Sequence, residues 1–247
     1  MIVSHWKSLF ASRAERQDLT GWNDAPRLTN AERRLVARSI QEFQLGEGTG
    51  GGSLWRRAMQ SNLALDPDFV EALRLFIGEE QRHSRDLGRF LDREGIPRLR
   101  RHWVYGAFRR VRRLAGLEMC LRVLVTAEII AVPYYSALRE ATKSPLLRAL
   151  CEQILADEGD HLCYQAFNLR LLRAMRRASL GGWESTLWRV FLFGTMAVVW
   201  REHGRVLVAG GYRWSRFRRE CERLLAAVEH PRLRGFELPA ETRELLA

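Results

Sequence analysis

The amino-acid sequence predicts an all-α protein organised as an antiparallel four-helix bundle with additional flanking helices. Three observations predict the helical class. Apolar residues recur at alternating spacings of three and four along several long segments. Capping and stop signals punctuate the chain at helix-length intervals. No alternating Val/Ile/Thr run is bounded by hairpin turns, so β-structure has no support.

Residues 1–29 read as an N-terminal extension. The first long helix is expected over about 30–64, opened by a capping box in which Thr29 and Glu32 satisfy each other's backbone donors. Asp66, Pro67 and Asp68 close that region and start the second helix, 67–92, because proline suits a first helical turn. "REGIPR" at 93–98 ends it. The third helix spans 117–141 and contains Pro133, which is expected to bend it. "ATKSPLL" at 141–147 separates it from the fourth, 145–177, with Ser144 as N-cap. "LGG" at 180–182 and "AGG" at 209–211 set off two more helices, so residues 178–247 are expected to pack on a bundle formed by 30–177.

Within the first helix lies "QLGEGTGGGS", residues 44–53, whose Gly46, Gly48 and Gly51 fit G-x-G-x-x-G. No strand precedes it and no Gly-Lys-Ser/Thr follows, so a phosphate loop is not indicated. Each glycine costs a helix up to about 1 kcal/mol relative to alanine. The residue that the pattern skips, Glu47, becomes important below.

Composition sets the broad class. The chain has 247 residues, 47% hydrophobic and 28% charged, as in a globular protein with a sizeable core. No secretory signal is evident, and the most apolar stretch, Val190 to Trp200, is broken by Gly194 and Thr195 and is too short to span a bilayer. No stable membrane insertion is expected. Cys120, Cys151, Cys163 and Cys221 are scattered without a C-x-x-C pair, which excludes a rubredoxin-type site and makes a reducing cytoplasm the expected compartment. The net charge of +11 is carried by arginine, since Lys7 and Lys143 are the only lysines among 40 basic residues. The densest basic run, 98–116, interleaves aromatic residues and would suit an acidic carrier, a nucleic acid or a lipid headgroup. Solvated helix faces account for the charge as simply.

The chemistry lies on the inward seams. Phe69, Leu73, Phe76, Glu80, His83, Leu87 and Phe90 form one a/d stripe with an ionisable pair in its middle. Leu147, Cys151, Ile154, Glu158 and His161 repeat the arrangement on the fourth helix. These are the only two Glu-x-x-His sequences in the chain, and residues at i and i+3 can reach one ion. Leu121, Leu124, Glu128, Ala131, Tyr135 and Leu138 place a lone carboxylate in the third stripe. Burying such groups without partners is costly, so a cation is implied.

The first helix offers Glu47 or Glu42. The row Val36, Ile40, Phe43, Glu47 is apolar, whereas the row through Glu42 includes Arg38. Hairpin symmetry agrees: Glu128 and Glu158 are centred on residue 143, inside a turn, and Glu47 with Glu80 is centred nearer the Asp66–Asp68 turn than Glu42 with Glu80. Glu47 is therefore preferred and Glu42 kept in reserve.

With this pattern the chain resembles the ferritin-like di-iron carboxylate superfamily over roughly residues 30–177. The wording "EEQRH" (79–83) and "DEGDH" (157–161) is similar to that of acyl-carrier-protein desaturases and related oxygenases. The resemblance implies two irons, as an Fe–Fe or Mn–Fe pair, held by Glu47, Glu80, His83, Glu128, Glu158 and His161, with Glu80 or Glu128 and Glu158 as bridges. It implies that the reduced metal reacts with dioxygen or peroxide. Glu79 and Asp157 are expected to hydrogen-bond the remaining histidine nitrogens across the bundle. Tyr135 and Tyr164 stand close enough along their helices to serve as relays or as plain core. The glycines around Glu47 are expected to leave space beside the metals.

Three function classes follow. The favoured one is an oxygen-dependent di-iron oxidoreductase that desaturates or hydroxylates a small or carrier-bound substrate, with electrons from a separate ferredoxin or reductase and a homodimer as the usual assembly. The alternative is a ferroxidase or peroxide-reducing protein of ferritin or rubrerythrin type, against which the C-terminal helices and the missing four-cysteine module count. A nucleic-acid module is disfavoured because it explains the charge and not the buried acids.

Overall fold

The computed structural model describes residues 2–16, 18–23, 27–48, 51–103, 106, 110, 116–176 and 182–229. Among these the chain is all-α. Its helices are α1 (Ile2–Ala14), α2 (Asn30–Glu47), α3 (Gly51–Met59), α4 (Pro67–Arg93), α5 (Leu117–Ala141), α6 (Pro145–Arg176), α7 (Gly182–Ala209) and α8 (Trp214–Glu229), with a 3-10 turn at Asn62–Leu65.

Local chemistry explains the boundaries. The Thr29–Glu32 capping box opens α2. The Asp66 carboxylate accepts from the backbone N–H groups of Asp68 and Phe69, and Pro67 occupies the first turn of α4. Gly95, at φ +64°, lets the chain leave α4 through a left-handed turn in which Ile96 N–H donates to Leu91 O. Ser144 Oγ accepts from Leu147 N–H at the start of α6. Helix α5 runs uninterrupted through Pro133.

One expectation fails. The continuous first helix over 30–64 is divided, because α2 stops at Glu47 and Gly48 caps it. The glycines at 46, 48, 51 and 52 are the physical reason: together they remove the propensity that would carry a helix through. Thr49 and Gly50 lie outside the described residues, as does most of the basic run 98–116.

The core falls into two apolar clusters. One contains Leu73 and Phe76 of α4, Leu121 and Val125 of α5, Leu162 and Phe167 of α6, and Trp6 and Phe10 of α1. The other contains Val36 and Ile40 of α2, Leu87 and Phe90 of α4, Tyr134 and Leu138 of α5, and Leu147 and Ile154 of α6. Chain order through these clusters gives helix direction. Helices α4 and α5 pass from the first cluster to the second, while α6 passes from the second to the first. Thus α5 and α6 form an antiparallel hairpin, and α4 and α5 run the same way, which requires the long connection over 94–116. Helix α1 packs along α4, α7 against α5 and α2, and α8 against α5 and α6. Between the two apolar clusters lies a layer of buried charge.

Candidate metal centre

Glu80 and His83 occupy α4 between Phe76 and Leu87, and Glu158 and His161 occupy α6 between Ile154 and Leu162. The opposed directions of those regions of α4 and α6 bring both pairs to one level. One ligand-capable atom from each of these four residues lies within 4.8 Å of the others. His161 Nδ1 stands 2.9 Å from Glu80 Oε1 and 3.9 Å from Glu158 Oε1, and His83 Nδ1 stands 3.7 Å from Glu158 Oε1. His83 and His161 have no exposed surface, and Glu158 and Glu128 are 1% and 5% exposed.

The other face of each imidazole is fixed across the bundle. His83 Nε2 meets Asp157 Oδ2 at 3.0 Å, and His161 Nε2 meets Glu79 Oε2 at 2.9 Å. Each partner carboxylate immediately precedes the histidine pair of the opposite helix, so the two contacts are reciprocal. Burial works against ionisation of Asp157, but the hydrogen bond from His83, the His83 charge and the Arg16 charge hold its pKa below the usual range. An ionised Asp157 accepts, so His83 Nε2 donates and Nδ1 is the nitrogen that faces the cluster.

Arginines cover these supporting carboxylates from outside. Arg16 Nη1 lies 3.0 Å from Asp157 Oδ1, Arg82 Nη2 lies 3.0 Å from Asp157 Oδ2, and Arg13 Nη1 lies 3.7 Å from Glu79 Oε2. Two of the three come from α1 and the residues just after it. The 1–29 region therefore supplies part of the site's surroundings as well as the core residues Trp6 and Phe10. Phe76 packs edge-on against His161 at 4.8 Å between ring centres, with Phe10 behind it at 6.0 Å. Tyr164 lies in this aromatic wall, 5.2 Å from Phe10.

Glu47 and Glu128 lie near this group of four, close enough to feel the charge of Glu80, without being part of it. Tyr135 OH donates to Glu47 Oε1, and Gln165 Nε2 donates to Glu128 Oε1. Burial and then the charge of Glu80 raise the Glu47 pKa to about 7, with the positive potentials of His83 and His161 acting the other way. Burial and Glu80 likewise push Glu128 and Glu158 well above the usual carboxylate range. Burial disfavours the His161 imidazolium, yet its contacts with Glu79, Glu80 and Glu158 overcome this and raise its pKa well above the ordinary value. In electrostatic terms the cluster is short of positive charge.

Glu42 goes elsewhere. It pairs with Arg38 and lies 3.4 Å from His102 Nε2 and 3.5 Å from His203 Nε2, in a separate polar group with Ser39 and Tyr134. Burial, helped by His102 and Arg38, lowers the His203 pKa to about 4. The expected space at the glycines is also corrected. A Cβ on Gly51 would stand 2.5 Å from Ile77 Cγ2, and one on Gly48 would stand 2.8 Å from Ser84 Oγ. Gly48 and Gly51 thus allow α4 to approach closely and leave no room, whereas a Cβ on Gly46 or Gly52 would meet nothing within 4 Å, and Gly50 lies outside the described residues.

Two contributors have no counterpart in the sequence reading: Gln165 and the arginines near the N-terminus. Gln165 continues the seam through Ile154, Glu158 and His161, so a further polar residue in that stripe was the available signal. Nothing in local sequence connects Arg13 and Arg16 to Asp157.

The donor set fits a metal. His83 Nδ1, Glu128 Oε2 and Glu158 Oε2 are buried without a hydrogen-bond partner, and His161 Nδ1 and Glu80 Oε1 face each other at 2.9 Å. Such a convergence is rare in a satisfied core, and carboxylate oxygen with imidazole nitrogen suits iron or manganese. The comparisons of the chain with protein-family models, with curated proteins and with solved structures found no match. Among the described residues, no helix is long and apolar enough to cross a membrane.

Proposed function

We propose that this chain is a non-haem di-iron oxidoreductase of the ferritin-like type that uses dioxygen to desaturate or hydroxylate an organic substrate. The observation that carries the reading is the convergence of ligand-capable atoms from Glu80, His83, Glu158 and His161 within 4.8 Å of one another. Glu47 and Glu128 flank that layer, so the six residues would hold two iron ions, or a manganese–iron pair. Once bound, the metal pair would supply the electrons that reduce dioxygen.

The chain's own groups have definable parts in this. Asp157 and Glu79 orient the two imidazoles and keep a proton on Nε2, which leaves Nδ1 to face the cluster. Metal uptake would displace the second proton of His161. Phe10, Phe76 and Tyr164 wall off water on one side. The four cysteines are buried and none is disulfide-bonded, so electrons would come from a separate ferredoxin or reductase.

Anaerobic reconstitution with ferrous iron followed by metal analysis tests the reading. The expected result is about two ions per chain, falling sharply in His161→Ala. Exposure to oxygen without substrate should oxidise that iron once and then stop. Continued oxidation of added iron with growth of a mineral core would replace the oxygenase reading with a ferroxidase. Absence of iron or manganese binding would remove both.

A further inference from the structure

We infer that Gln165 and Tyr135 are positioning residues that each leave one carboxylate of the cluster with a single preferred metal-donor oxygen. This deepens the metal-binding reading above and rests on it.

The argument starts from what each carboxylate can offer. An ionised glutamate has two oxygens with about four lone-pair sites between them, and a hydrogen bond to one oxygen makes it a poorer metal donor than the other. Gln165 Nε2 donates to Glu128 Oε1, while Glu128 Oε2 is buried with no hydrogen-bond partner. Tyr135 OH donates to Glu47 Oε1 in the same way. Among the described residues no such donor from outside the cluster reaches Glu80 or Glu158, which stand beside nitrogens of His83 and His161. The four carboxylates thus divide into two that are tied and two that are not.

The donors are neutral, which matters. An arginine or lysine at either place would cancel the carboxylate charge that a cation needs. An amide or a phenol occupies one oxygen and leaves that charge in place. Both donors are also rigidly seated: Gln165 is fully buried one turn beyond His161 on α6, and Tyr135 is fully buried two turns beyond Glu128 on α5. Gln165 Oε1 has no partner of its own, so the amide is oriented by its bond to Glu128. Favouring one oxygen on each of two carboxylates keeps the coordination of the pair incomplete, which is what a site that must admit an exogenous reactant requires.

The test is a cobalt(II) titration of the full chain followed by visible absorption, with helix content checked by circular dichroism. Gln165→Leu keeps the size and removes the donor. It should weaken the affinity for one ion by about 10-fold or more and change the ligand-field band of that ion alone. Gln165→His, which restores an N–H donor, should recover much of both. Tyr135→Phe should perturb binding and spectrum in its own right, and it decides the matter if Gln165→Leu does not fold. Wild-type affinities and spectra in Gln165→Leu and Tyr135→Phe would overturn the assignment while leaving the metal site standing. Failure of the unaltered chain to take up cobalt or iron would instead overturn the metal reading, and this assignment with it.

Discussion

Replacing Glu47 by glutamine should stabilise the metal-free protein and cripple the metal-loaded one. In the folded chain the Glu47 carboxyl has its pKa raised from 4.5 to about 7 by burial and by Glu80. A raised carboxylate pKa means that the folded state holds the proton more tightly than the unfolded chain does. The resulting penalty is absent below about pH 4.5, grows as pH rises toward 7 and is fully present above that, where it amounts to about 3 kcal/mol. Glutamine removes the charge and keeps an oxygen that can accept from Tyr135 OH. For a chain of this size the gain corresponds to roughly 6–12 °C in melting temperature. The assay is differential scanning calorimetry in chelator at a series of pH values from 4.5 to 8. Glu47→Gln should match the wild type at the acid end and exceed it increasingly toward pH 8. With ferrous or manganous ion added, the order should reverse, because ligand binding stabilises only the form that binds. Melting temperatures that stay parallel across the whole pH range would refute the electrostatic account.

Other substitutions probe separate parts of the structure. Asp157→Asn removes the anionic partner of His83 Nε2 and should weaken metal affinity about 10–100-fold by titration. Glu42→Gln should leave metal stoichiometry unchanged, since that carboxylate serves Arg38, His102 and His203; a loss of bound metal there would return Glu42 to the candidate ligands. Gly210→Ala would place a Cβ 2.2 Å from the Ala137 carbonyl oxygen, against backbone that cannot swing away. A loss of about 1–3 kcal/mol in denaturant unfolding is expected.

Most of the bundle could be read from the chain because its signals are local. Pro67, Ser144 and the Thr29–Glu32 box mark helix starts through contacts with residues two or three positions away. The seams through Glu80, Glu128 and Glu158 could be read for the same reason, since a charged residue in an apolar stripe violates the stripe's own period. Three things were not legible. The break after Glu47 depends on several weak helix formers acting together, and no single glycine compels it. The closeness of Gly48 to Ser84 and of Gly51 to Ile77 depends on how α4 approaches, which periodicity does not encode. Arg13 and Arg16 meet Asp157 from more than 140 positions away, and an Arg near a helix end gives no hint of its partner.

The place where α2 stops has a mechanical consequence. Glu80, His83, Glu128, Glu158 and His161 all stand in the interior of long helices, braced by backbone hydrogen bonds on both sides. Glu47 is the last residue of its helix, where the carbonyls have no following turn to bond. Five of the six side chains therefore stand on backbone braced from both sides, and Glu47 stands on a helix end, where its bond from Tyr135 OH is the tether. If the cluster holds metal as proposed, ions of different radius would be accommodated by a displacement of Glu47 that breaks little of the surrounding helix.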